Sequence, residues 1–66
     1  LENLQLAQRI RAFRKLKGYT QQEFAKEVGI SLAVLGAIER GNRRAEEQIL
    51  NKIANTLDIS IDELKS

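Results

Sequence analysis

Three guanidinium groups fall within five residues at Arg40-Gly41-Asn42-Arg43-Arg44. Arginine stays charged at neutral pH and presents its N–H donors as a planar fork. Such a cluster suits the neutralisation of phosphate oxygens, with an ordinary exposed turn as the competing explanation. Other reagents are scarce. The 66 residues include no His and no Cys, which removes the usual general base, the thiol nucleophile and the commonest metal ligands. Two carboxylate pairs, Glu46-Glu47 and Asp62-Glu63, fall where helices begin, and capping and the helix dipole account for them. No enzymatic activity, cofactor or metal is therefore expected.

The length points the same way. A chain of 66 residues buries only about 60% of the surface its unfolded form exposes. It has no room for a large enclosed ligand pocket beside its own core. No run of about 18 apolar residues could span a membrane, and there is no signal-peptide core, so a cytoplasmic location is expected. The chain begins at Leu1 and contains no Met, which fits a processed chain or a piece of a longer one. These limits favour one small binding domain over residues 1–66.

The elements that must hold the basic loop are all helical. Leu6, Ile10, Phe13 and Leu16 recur at steps of four, three and three, an apolar stripe for a helix over about 3–17. Gly18 follows as its stop. Thr20-Gln21-Gln22-Glu23 has the form of a capping box opening a helix over 21–28, with Tyr19 and Phe24 as its hydrophobic staple. Phe24, Ala25 and Val28 face inward, and Gly29 ends the helix. Ser31 caps a third helix over 32–40, with Ile30 and Leu35 as staple and Leu35 and Ile38 as core. So short a joint as Gly29-Ile30-Ser31 forces the second and third helices to cross steeply. A fourth helix over 46–57 carries the stripe Leu50, Ile53, Ala54 and Leu57. Ser60-Ile61-Asp62-Glu63 forms a second capping box for a short helix over 61–65, with Ile59 and Leu64 as staple.

Charge is uneven although the net value is only +2. Arg9, Arg11, Arg14, Lys15 and Lys17 crowd the first helix, three arginines occupy 40–44, and acids gather toward the C-terminus. A solvated face accounts for most of the first-helix cations.

Taken in order, Thr20-Gln21-Gln22-Glu23-Phe24-Ala25, Gly29-Ile30-Ser31 and Ile38-Glu39-Arg40-Gly41 resemble the Cro/repressor-type (XRE-like) helix-turn-helix domains of phage repressors and bacterial regulators. Arg9-Ile10-Arg11 with Arg14, Lys15 and Lys17-Gly18 looks like the first helix of that family. Ile53-Ala54 with Leu57, and Ile59 through Leu64, look like its last two. The resemblance spans about 6–64. It implies an all-α, compact five-helix bundle, a DNA-binding transcriptional regulator, most simply a repressor, and a homodimer on a two-fold-related operator with the third helix in the major groove.

Carried over by position, the resemblance places Gln21 against phosphate and against the third helix. It assigns Ser31, Leu32, Ala33, Gly36 and Ala37 to the side facing the bases. Arg40, Asn42, Arg43 and Arg44 meet the DNA backbone, and Arg14 and Glu39 form an internal ion pair. Ile59, Ile61 and Leu64 are candidates for a dimer seam, with packing beneath the last helix as the alternative. The departure lies in the reading face. Leu32, Ala33, Gly36 and Ala37 have no side-chain donor or acceptor, so these positions cannot hydrogen-bond a base edge. Thymine methyl contact, backbone positioning and DNA shape remain. An exposed apolar strip also suits a protein partner. The rival function is therefore an antitoxin-like or antirepressor-like adaptor on the same scaffold.

Overall fold

The computed structural model describes residues 2–66, with side chains from residue 4 onward. Five helices follow one another: α1 (Glu2–Leu16), α2 (Gln21–Val28), α3 (Leu32–Glu39), α4 (Glu47–Leu57) and α5 (Ile61–Lys65). There is no strand among the described residues, and no helix is long and apolar enough to cross a membrane. The third helix ends one residue before the expected limit. The fourth starts one later, because Glu46 is an extended N-cap whose side chain makes no capping bond.

Local chemistry sets the boundaries. At α2 the box closes in both directions: Glu23 N–H donates to Thr20 Oγ1 at 3.1 Å, and Thr20 N–H donates to Glu23 Oε1 at 3.0 Å. The Tyr19 and Phe24 rings pack with centroids 5.3 Å apart, fixing the entry of the chain. At α5 the Ser60 hydroxyl oxygen accepts the Glu63 N–H at 3.0 Å, without the reciprocal bond that Glu23 makes at α2. The far end of α3 is closed by Asn42 N–H donating to Ala37 O at 2.9 Å and Gly41 N–H to Ile38 O at 3.0 Å. This paired closure needs a left-handed residue, and Gly41 supplies it at φ 78°. The same closure ends α4, where Asp58 stands at φ 58° in the left-handed position. No glycine marks that stop; the expected limit at residue 57 rests on the end of the apolar stripe at Leu57 and agrees with the observed one.

The core draws on every helix. Ile10, Phe24, Leu35, Ile53, Leu57 and Leu64 are its largest fully buried side chains. Against it, α3 packs on both α1 and α2, while α5 packs on α1 and α4. The first-helix stripe needs correction. Leu16 is 77% exposed, whereas Ala7 and the Arg14 side chain are buried. Two steps of three carry position 16 roughly 120° around the helix from Ile10. Position 14 lies only about 40° away and takes the inward place.

The C-terminal candidates divide as well. Leu64 is fully buried, so it belongs to the core and is unavailable to a dimer seam; Ile59 and Ile61 are half-buried against that core. Arg9, read from the sequence as part of a solvated face, instead holds α5 in place. Its Nε donates to Leu64 O at 2.9 Å and its Nη2 to Glu63 O at 2.7 Å, filling carbonyls in the last turn of α5. The guanidinium carbon also lies 5.7 Å from the centroid of the Phe13 ring.

Two outcomes are expected in unfolding measurements. Leu64→Ala should cost about 2–5 kcal/mol in chemical denaturation, as for other fully buried leucines, and Ile61→Ala clearly less; equal losses would place Leu64 outside the core. Glu23 gives a pH signature. The Thr20 backbone N–H, then the Thr20 side chain, hold its carboxyl below the ordinary value of 4.5. A lowered folded-state value means that the stabilisation is complete above the unfolded value and fades as pH falls through the folded one. The gap in Tm between the wild type and Glu23→Gln should therefore narrow as pH drops below about 4.5; a gap independent of pH would show that the capping carboxylate adds nothing through its charge.

Candidate nucleic-acid interface

One carboxylate joins the three helices that build the candidate surface. Glu39, at the end of α3, is buried, and its Oε2 accepts from Arg14 Nε of α1 at 2.8 Å. Its Oε1 accepts from Arg14 Nη2 at 3.1 Å and from Gln21 Nε2 of α2 at 3.1 Å. Arg14 Nη1 donates to Tyr19 O at 2.8 Å, in the turn between α1 and α2. Among the described residues, no buried side-chain polar atom lacks a partner. A two-point Arg–carboxylate contact fixes angle as well as distance. It thereby sets how α3 projects from the bundle.

Gln21 is consequently tied inward through its amide nitrogen. It is half-buried in the first turn of α2, where unpaired backbone N–H groups face outward. The inward bond uses one of its two amide hydrogens. The second is free to donate elsewhere.

The exposed side of α3 starts with its cap. Ser31 Oγ accepts the Val34 N–H at 3.1 Å, so the hydroxyl oxygen serves the helix while its own hydrogen stays free to donate. Leu32 is 45% exposed, Ala33 is exposed and Ala37 is half-buried, while Leu35 and Ile38 point into the core. Gly36 departs from its expected place on an open reading face. It is buried, and what covers it is Arg40: a Cβ at position 36 would lie 3.0 Å from Arg40 Nη1 and 3.9 Å from Arg40 Cζ. Arg40 is therefore not simply the first cation of the loop. Its side chain reaches back one turn along α3, the direction helical side chains favour.

Asn42, Arg43 and Arg44 are all exposed on the loop that the Gly41 closure anchors. Arg44 also borders a surface groove of about 770 Å³ with Gln5, Leu6, Glu46, Glu47, Leu50 and Lys65. No group of His, Cys, Asp or Glu residues among those described could hold a metal. The arrangement offers a short projecting helix, apolar at its start, with cations at its end and a helix N-terminus beside it. That is the architecture of a helix-turn-helix DNA-binding protein.

Comparison with known proteins agrees. A sequence model described as helix-turn-helix matches residues 10–64. The chain is 62% identical over 56 residues to the HTH-type transcriptional regulator YazB of Bacillus subtilis, covering 85% of this chain and 81% of YazB. It is 37% identical over 60 residues to the HTH-type transcriptional regulator SinR of the same organism, covering 89% of this chain but only 54% of SinR. The crystal structure of SinR, a master regulator for biofilm formation, in complex with DNA matches with a TM-score of 0.87 at 35% identity, over 92% of this chain and 98% of that one. The restriction-modification controller protein C.AhdI of Aeromonas hydrophila matches with a TM-score of 0.89 at 34% identity, over 92% of each chain. The chain belongs to the XRE-type helix-turn-helix family of DNA-binding transcriptional regulators.

The Glu39 junction makes a stability prediction. Glu39→Ala leaves a buried guanidinium without its anion and should cost about 3–5 kcal/mol or prevent folding, whereas Arg43→Ala on the exposed loop should leave stability nearly unchanged. Denaturant titration of both variants checks this. A small loss for Glu39→Ala would show that the junction does not organise the three helices.

Proposed function

We propose that this chain is the DNA-binding unit of a transcriptional repressor that acts in the cytoplasm and occupies a two-fold-related operator as a homodimer. In this reading α3 lies in the major groove with Leu32, Ala33 and Ala37 toward the bases. Gln21 and the N-terminus of α2 meet one stretch of phosphates, and Asn42, Arg43 and Arg44 meet another. Occupancy of the operator then blocks the polymerase. The observation that carries the reading is the exposed Arg43–Arg44 loop, locked by the Gly41 closure at the end of α3, whose Leu32 and Ala33 are exposed. The likeness to SinR, solved in complex with DNA, supports it. Ile59 and Ile61 are the remaining residues offered for a dimer seam.

A second reading has its own observation. Leu32 is the large apolar side chain left exposed on α3, and a protein partner would bury it as readily as a thymine methyl would. Under that reading the domain is a protein-binding adaptor.

Two variants separate these outcomes. Arg43→Ala with Arg44→Ala should weaken binding to every duplex and lower the slope of log K against log salt by about two, measured by fluorescence anisotropy at several salt concentrations. Unchanged binding removes the loop from the interface. Leu32→Gln should reduce duplex affinity if α3 enters the groove; intact DNA binding with loss of a protein partner favours the adaptor.

A further inference from the structure

The guanidinium of Arg40 lies over Gly36 and not out along the loop, and we infer from this that Arg40 reads a guanine from the major-groove side of α3. The inference rests on the DNA-binding reading above and adds a base-specific contact to it. Leu32, Ala33, Gly36 and Ala37 cannot hydrogen-bond a base. At three of these positions, however, the lack of a side chain beyond Cβ leaves a shallow bed on the helix surface, and Gly36 is its floor. Arg40 occupies that bed: its Nη1 lies 3.0 Å from the point a Gly36 Cβ would take. Residues 32, 36 and 40 follow one another at steps of four, so Arg40 shares the row that begins with exposed Leu32.

No carboxylate among the described residues pairs with this cation. Arg40 is exposed, and the carboxylate next to it in sequence, Glu39, turns inward to Arg14. The backbone of Arg40 is fixed by its N–H donating to Gly36 O at 3.0 Å. A guanidinium can offer two parallel N–H donors, which match guanine O6 and N7; an ammonium can reach the same two acceptors but without the planar fork. A side chain at position 36 would raise the guanidinium off the helix. Glycine, which weakens a helix interior by about 1 kcal/mol relative to alanine, is thereby accounted for at a position where no tight turn requires it.

The test is selection from a randomised duplex pool with the full chain, comparing wild type, Arg40→Lys, Arg40→Ala and Gly36→Ala, each checked for wild-type thermal unfolding. Wild type should enrich a guanine at one position of each half-site. Arg40→Ala should lose that preference by roughly 5- to 150-fold, the range of a good bidentate contact, and Arg40→Lys, which keeps the charge and can still reach O6 or N7, should lose only part of it. Gly36→Ala should weaken the same preference in the Arg40 background and leave it unaffected in the Arg40→Ala background. Replacing that guanine with 7-deazaguanine should lower wild-type affinity and leave Arg40→Ala unchanged, and the loss in the wild type is read directly even where Arg40→Ala abolishes binding. A preference that survives Arg40→Ala, an enriched site without guanine, or indifference of the wild type to 7-deazaguanine each overturns the inference and confines Arg40 to phosphate contact, with the DNA-binding reading intact. Absence of any duplex binding by the wild type overturns that parent reading, and the inference with it.

Discussion

The working surface depends on one buried anion. Glu39 accepts from Arg14 and Gln21, and so joins α3 to the two helices on which it packs. Replacing a buried ion pair by well-packed apolar groups is often neutral or stabilising, so the gain here is one of geometry more than of stability. A short apolar contact would allow α3 to roll; a two-point contact between planar groups resists that rotation. An eight-residue helix has too few hydrogen bonds to be stable alone, so its orientation is set by what it packs on: Leu35 and Ile38 in the core and Glu39 at this junction. The orientation of the exposed face is therefore decided on the opposite side of the helix.

The same chemistry governs the distribution of charge. The first helix and its following turn carry Arg9, Arg11, Arg14, Lys15 and Lys17, and on sequence alone they form the larger basic patch. Folding commits two of them internally. Arg14 is buried against Glu39, and Arg9 fills the last carbonyls of α5. Arg40, Arg43 and Arg44 remain unpaired by any carboxylate among the described residues, so the loop and the end of α3 become the concentrated cationic edge despite a net charge of only +2. Net charge is a poor guide to polyanion binding in so small a chain. The cations left over after internal pairing are the better measure.

Most of the fold was legible because local signals agreed with one another. The Thr20 box, the Ser31 and Ser60 caps, the Gly29 and Gly41 stops and the stripes of α2, α3 and α4 each act within about one turn of helix, and all five helices can be found from them. What escaped was whatever depends on distant partners. Leu16 looked like core because apolar spacing alone does not reveal that Arg14, a charged residue, holds the inward position. Arg9 looked solvated because the carbonyls it satisfies lie more than fifty residues away. The end of α4 was placed correctly from its apolar stripe, but the left-handed conformation of Asp58 that closes it carried no glycine signal. For the candidate site, residue identity and approximate place were readable at the loop, where side chains stand free in water. They were not readable at Gly36, whose burial depends on the rotamer of Arg40.

That last case bears on how an apolar recognition helix is to be understood. Inventory by position treats each side chain as acting at its own Cα, and by that inventory α3 has nothing to offer a base edge. Helical side chains, however, cover the turn preceding their own, so a long residue at the C-terminal end serves the middle of the helix whenever the middle is small enough to admit it. Ala33, Gly36 and Ala37 are small, and Arg40 is long. The poverty of polar groups at the centre of α3 and the abundance of guanidinium at its end are then one arrangement: the small residues make the space, and the arginine fills it. Because Glu39 is turned inward to Arg14, it does not draw Arg40 into an adjacent salt bridge, and the cation stays available to whatever approaches the helix from outside.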